Sequence, residues 1–89
     1  MQTQAFVKVN RSEMPHNHGE LFYSVVRVNR EGGLVAIVET ECYPCVWGFR
    51  DIKHALRLAD HFNDGSDGHL DEDALSCDEL ACRLASEER

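Results

Sequence analysis

Nowhere in these 89 residues does an apolar run approach the roughly 18 residues that a membrane-crossing helix needs. The first residues, MQTQAFVKVNR, lack a basic start followed by a long apolar stretch, so no signal peptide is expected. A cytoplasmic setting follows as the expectation, with the four cysteines held as reduced thiols. No repeat and no low-complexity segment breaks the chain. Catalytic signatures are missing as well: no serine sits in a nucleophile elbow, no glycine-rich loop follows a strand, and HExxH does not occur. The expectation is a protein that is not an enzyme.

Basic residues are also scarce where they would matter for nucleic acid. Residues 1–59 carry seven Lys or Arg and six Asp or Glu, whereas residues 60–89 carry two and ten. A C-terminal third this acidic argues against direct nucleic-acid binding, because phosphates need cations. It favours attraction to a basic protein surface.

What is present suits one compact soluble domain. At 43% hydrophobic and 28% charged, the composition is that of a folded chain rather than a disordered one. TQAFVKV alternates weakly and predicts a first strand over about 3–9. NRSEMPHNHGE reads as a loop, with Pro15 and Gly19 as breakers. LFYSVVRVN, rich in β-branched and aromatic residues, predicts a second strand over 21–29. REGG supplies a turn, and a third strand over 34–43 closes an antiparallel hairpin.

Both faces of that hairpin are apolar. Phe22, Val26 and Val28 alternate with Leu21, Tyr23 and Val25, and Leu34, Ala36 and Val38 alternate with Val35 and Ile37. A half-solvated sheet would show one polar face. Two helices suffice to cover one side, which leaves the other for a second copy or a protein partner. Tyr23 and Val25, with Trp47, are the apolar residues expected to meet that partner.

Helix patterns occupy the rest. Ile52, Ala55, Leu56, Ala59 and Phe62 recur at helical spacing and predict a helix over 51–62, capped by Asp51 and stopped near Asn63 and Gly65. His54, Leu58 and His61 fall together on the side expected to face solvent. A second helix, over 77–87, has a clear start. Ser76 and Glu79 fit a capping box, and Leu75 with Leu80 fits the hydrophobic staple beside it. The fold expected is α+β: a three-stranded antiparallel sheet followed by two helices packed on one face.

Between the helices, HFNDGSDGHLDEDAL resembles an EF-hand calcium loop over about 13 residues. Phe62 matches the aromatic before the loop, Asp67 its fifth position, Gly68 the invariant glycine and Leu70 the aliphatic. Asn63 stands where Asp is usual. Gly65 replaces the third-position carboxylate, and Ala74 replaces the bidentate glutamate at the twelfth. With those two ligands gone, calcium is not expected. Helix-start electrostatics explain Asp78 and Glu79, which lie in a first turn where the macrodipole favours negative charge. They do not explain Asp64, Asp67, Asp71, Glu72 and Asp73, which repel one another, and these five are the expected contacts for a basic partner. A short, acidic α+β chain without catalytic motifs is similar in type to phage-encoded inhibitors, several anti-CRISPR proteins among them. That resemblance implies an acidic ridge that imitates a phosphate track and occupies a nucleic-acid channel in another protein.

The cysteines offer an alternative. Cys42 and Cys45 form CYPC, but VWGFR separates them from the next helix start, so the helix-terminus activation of a redox CxxC is missing. CxxC is equally half of a zinc site. Cys77 and Cys82 point about 140° apart on a helix and cannot readily clasp one ion. His16 and His18 in PHNHG complete a better set, so a small zinc-stabilised module held by Cys42, Cys45, His16 and His18 is the second reading. His54 and His61, about 10.5 Å apart along a helix, are too distant to share a metal.

Overall fold

In the computed structural model, residues 4–38, 48–64 and 75–88 are described. Three antiparallel strands, β1 (Phe6–Arg11), β2 (Leu21–Val28) and β3 (Leu34–Ala36), are followed by helices α1 (Ile52–Asn63) and α2 (Cys77–Glu87). The sheet order is β1-β2-β3, with Phe6 opposite Val26 and Arg11 opposite Leu21 on one side of β2, and Leu34 opposite Val28 on the other. The class is α+β, as the hydrophobic periodicities predict. Among the described residues, no helix is long and apolar enough to cross a membrane.

The β2–β3 turn is built by Asn29. Its side-chain oxygen accepts the N–H groups of Glu31 (3.0 Å) and Gly33 (2.8 Å), and its own N–H donates to the Gly33 carbonyl. Gly32 takes φ +82°, a conformation open to glycine at little cost. β3 is shorter than the 34–43 expected, ending at Ala36 with a bend at Ile37; residues 39–43 lie outside the described chain. The bend explains why consecutive Ile37 and Val38 both pack on the core, where a continuing strand would separate them.

The chain is back beside β2 at residues 48–50. Phe49 and Tyr23 exchange two backbone hydrogen bonds of 2.7 Å, an antiparallel bridge on the side of β2 that β3 occupies further along. Gly48 makes this approach feasible. It has φ +103°, and a Cβ there would lie 2.6 Å from the Tyr23 carbonyl oxygen and 3.0 Å from the Phe22 ring. The bridge seats Phe49, 2% exposed, in the core immediately before α1 begins.

Asp51 caps α1 by accepting the Lys53 N–H at 2.9 Å, and Ser76 caps α2 by accepting the Glu79 N–H at 3.2 Å. The two helices contact one another, and α1 also contacts β1 and β2. Their ends are tied antiparallel: Glu88 beyond α2 reaches the start of α1, and the His61 ring near the end of α1 meets the Leu75 carbonyl before α2. One apolar cluster joins Ala5, Val25 and Phe49 to Ala55, Leu58, Ala59 and Phe62 of α1 and to Cys77, Leu80, Ala81, Leu84 and Ala85 of α2.

The buried stripe of α1 differs from the sequence expectation. Leu58, expected in solvent, is 1% exposed, whereas Ile52 and Leu56, expected inside, are 42% and 49% exposed. Its apolar residues cover a wider arc than the sheet alone can bury, and α2 selects Leu58 from that arc. The histidines follow the same correction. His54 and His61 are half-buried between the helices rather than an open patch.

Candidate binding surfaces

Side chains alternate across the sheet, so Val7, Tyr23, Val25 and Ile37 share one side and Phe6, Phe22, Val26, Val28 and Leu34 the other. The helices pack on the first side, where Val25 is buried and Val7, Tyr23 and Ile37 are half-buried against the core. This corrects the sequence expectation for Tyr23 and Val25. Val25 faces the helices and is closed to a partner, and Tyr23 keeps only a partial exposure at the rim beside Arg50, Ile52 and His54.

The opposite side is the open one. Phe6 and Leu34 are 42% and 50% exposed there, and Phe22 and Val28 are half-buried. Val26, at the centre, is flanked by Phe6 and Ala36 across the two ladders and is buried, so the exposed apolar surface lies around it. The same face carries Lys8, and Asn10 donates to the Ser24 hydroxyl at 2.9 Å.

Next to this face, an opening of ≈ 670 Å³ lies between the loop after β1 and the segment at Gly48, lined by Met14, Leu21 and Phe22 with Arg11, His16 and Arg50. The loop is held from within. Ser12 is buried, its N–H donates to the Glu20 carbonyl, its hydroxyl donates to the Asn17 side chain at 2.6 Å, and Gly19 donates back to its carbonyl. That bonding commits the Ser12 hydroxyl to the loop. Arg50 and Glu20 approach at 3.8 Å across the rim, both well exposed, so the pair contributes little stability.

A third feature closes one end of the helix pair. The Glu88 side chain, 7% exposed, accepts the N–H groups of Arg50 (3.0 Å) and Asp51 (2.8 Å) and meets His54 Nδ1 at 3.0 Å. It fills the position of an anion before a helix start, with its second carboxylate neighbour, Glu87, 3.5 Å from His54 Nε2. The His54 ring stands edge-on to Phe49 at 6.0 Å. Sequence reasoning missed this contact, because nothing local announces that a residue 34 positions later will meet His54.

The acidic residues gather at the other end. Asp60 and Asp64 flank the end of α1, Asp78 and Glu79 begin α2, and the antiparallel pairing brings those ends together. Asp64 is exposed, and its N–H bonds to the Asp60 and Phe62 carbonyls. Asp67, Asp71, Glu72 and Asp73 lie outside the described residues, as do Trp47, Cys42 and Cys45. His16 and His18 are exposed on the loop after β1. Among the described residues, no three His, Cys, Asp or Glu side chains converge as metal ligands. Cys77 is buried in the core cluster and Cys82 is half-buried against it.

The fold and these surfaces define a small α+β domain with one helix-covered and one open sheet face. No protein-family model matches the chain, nor does any curated protein or solved structure.

Proposed function

We propose that the chain is a non-enzymatic protein-binding module that docks a basic partner protein, using its open sheet face for affinity and its acidic pole for partner choice. The observation that carries this reading is the open face itself: Phe6 and Leu34 stay about half exposed beside Phe22 and Val28, on a sheet whose other side already holds both helices. Apolar groups on such a face supply binding energy when a partner removes them from water. The partner is basic because Asp60, Asp64, Asp78 and Glu79 converge at one end of the molecule, in a C-terminal third with ten acidic and two basic side chains. Such charge accelerates encounter and rejects acidic competitors. A phage-type inhibitor that offers carboxylates in place of phosphates is one version of this module.

The test is a pull-down repeated over a salt series with the wild type and with Leu34→Asp. A partner held by the acidic pole detaches as ionic strength rises, and one held by the open face is lost with Leu34→Asp. Retention of every captured protein under both changes overturns the proposal. Light scattering on the isolated chain separates a second occupant: dimerisation through the open face, abolished by Leu34→Asp, would make the partner another copy.

A further inference from the structure

β1 is an edge strand, and the direction of its backbone groups is fixed by the bonds around β2. The Tyr23 N–H and C=O are bonded to Phe49 and the Val25 C=O to Ile37, so odd-numbered residues of β2 point toward the β3 side. Even-numbered residues of β2 therefore bond to β1, through Phe6, Lys8 and Asn10 in the observed register. It follows that Val7, Val9 and Arg11 direct both N–H and C=O away from the sheet.

Ala5, the preceding odd position, shows what such an edge accepts. Its N–H donates to the Asn63 side-chain oxygen at 2.7 Å, and its carbonyl accepts from the Asn63 side-chain nitrogen at 3.1 Å. One carboxamide at the end of α1 thus imitates the peptide group of a neighbouring strand. From there to Arg11 the edge has no backbone partner among the described residues. It carries neither proline nor any acidic side chain, and Lys8 is the only charge in its middle.

The space beside it is apolar. On a helix, Ile52, Leu56 and Asn63 fall within about 40° of one another. Since Asn63 reaches β1, the exposed Ile52 and Leu56 lie on the same flank, on the side where Val9 stands 57% exposed. We propose that the β1 edge adds a strand from a partner protein: an extended segment that alternates apolar residues, packed beside Val9, Ile52 and Leu56, with acidic residues set against Lys8 on the other face. Main-chain bonds to Val7, Val9 and Arg11 give such a segment its register, and the alternation gives specificity. Charge selects this occupant over a second copy. Pairing β1 with its own copy would bring Lys8 of both chains to one face of a seam that holds no carboxylate to offset them, where like charges oppose association. Asp60 and Asp64 lie at the end sealed by Asn63, so the carboxylates of the added segment are set beyond that end, beside Lys8. This inference rests on the binding-module reading but not on the open face, and it concerns a segment whose carboxylates answer Lys8 alone, whatever the charge of the surface that meets the acidic pole.

The probe is a capped seven-residue peptide of alternating valine and glutamate, titrated into the whole chain and followed by amide NMR and hydrogen exchange. Binding is expected to slow exchange at the Val7, Val9 and Arg11 N–H groups, and the matching valine–lysine peptide is expected to leave them unchanged. Val9→Pro removes one outward N–H without touching the β1–β2 ladder and is expected to abolish binding. Lys8→Glu, an exposed change that leaves the fold intact, should weaken binding roughly fivefold. Leu34→Asp on the open face should have no effect on the peptide. Equal response to both peptides, no response to either, or dimerisation of the chain through β1 overturns the inference. Loss of binding with Leu34→Asp but not with Val9→Pro or Lys8→Glu overturns it too, while leaving the open face as the docking site.

Discussion

The two faces of the sheet are similar in sequence and opposite in fate. One offers Val7, Tyr23, Val25 and Ile37, and the helices close over it; the other offers Phe6, Phe22, Val28 and Leu34 around a buried Val26, and Phe6 and Leu34 stay open. Hydrophobicity does not separate them, since both alternate sets are dominated by β-branched and aromatic residues. What separates them is the Tyr23–Phe49 bridge. It lets the chain rejoin β2 with Phe49 turned to the Val25 side, and α1 starts three residues later on that same side. A face is thus chosen by one residue's orientation at the end of a connection, and the apolar residues of the other face are left for a different use.

The difference can be broken most directly at its centre. Leu58→Ala, on α1 within the core cluster it shares with α2, is expected to destabilise the fold by about 2–5 kcal/mol in urea unfolding. A cost under ~1 kcal/mol would mean that the covered face is not the stabilising one. Gly48→Ala strikes the choice itself, because the new Cβ meets the Tyr23 carbonyl in a backbone region that L-residues disfavour. A loss of about 2–3 kcal/mol is expected, and an unchanged urea midpoint would remove the bridge from the argument.

Glu88→Ala unfastens the far end of α2 from the start of α1, leaving two N–H groups and His54 without their acceptor. The expected cost is about 1.5–3 kcal/mol, with exchange at the Arg50 and Asp51 N–H groups accelerated first. Asn63→Ala exposes only the Ala5 pair and should cost roughly 1 kcal/mol by thermal unfolding. Smallest of all is Leu34→Ala on the open face, expected within about 0.5 kcal/mol of wild type by the same measurement. If Leu34→Ala proved as costly as Leu58→Ala, the open face would be a buried surface.

Much of this fold was legible locally. The hairpin showed in the β-branched runs around REGG, α2 in its Ser76 cap and Leu75–Leu80 staple, and α1 in its Asp51 cap. These signals are short-range: a cap binds an N–H two or three residues away, and a turn needs a glycine at one position. The candidate surfaces were less legible. Tyr23 and Val25 were expected on the open face and lie on the covered one, because alternation defines two faces without saying which receives the helices. Leu58 and Leu56 were exchanged for a related reason. Both fit an amphipathic helix, and only the position of α2 distinguishes them. The Glu88 clasp and the Asn63–Ala5 pair join residues 34 and 58 positions apart, and carry no local signature.

The sequence by itself determined the strands, the helices, their caps and the asymmetry of charge, since each follows from the chemistry of near neighbours. Only the tertiary structure decided which sheet face is covered, which histidines are tied down and which strand edge stays open. Those outcomes depend on where distant segments meet, and packing there is settled by shape and free space rather than by any pattern along the chain.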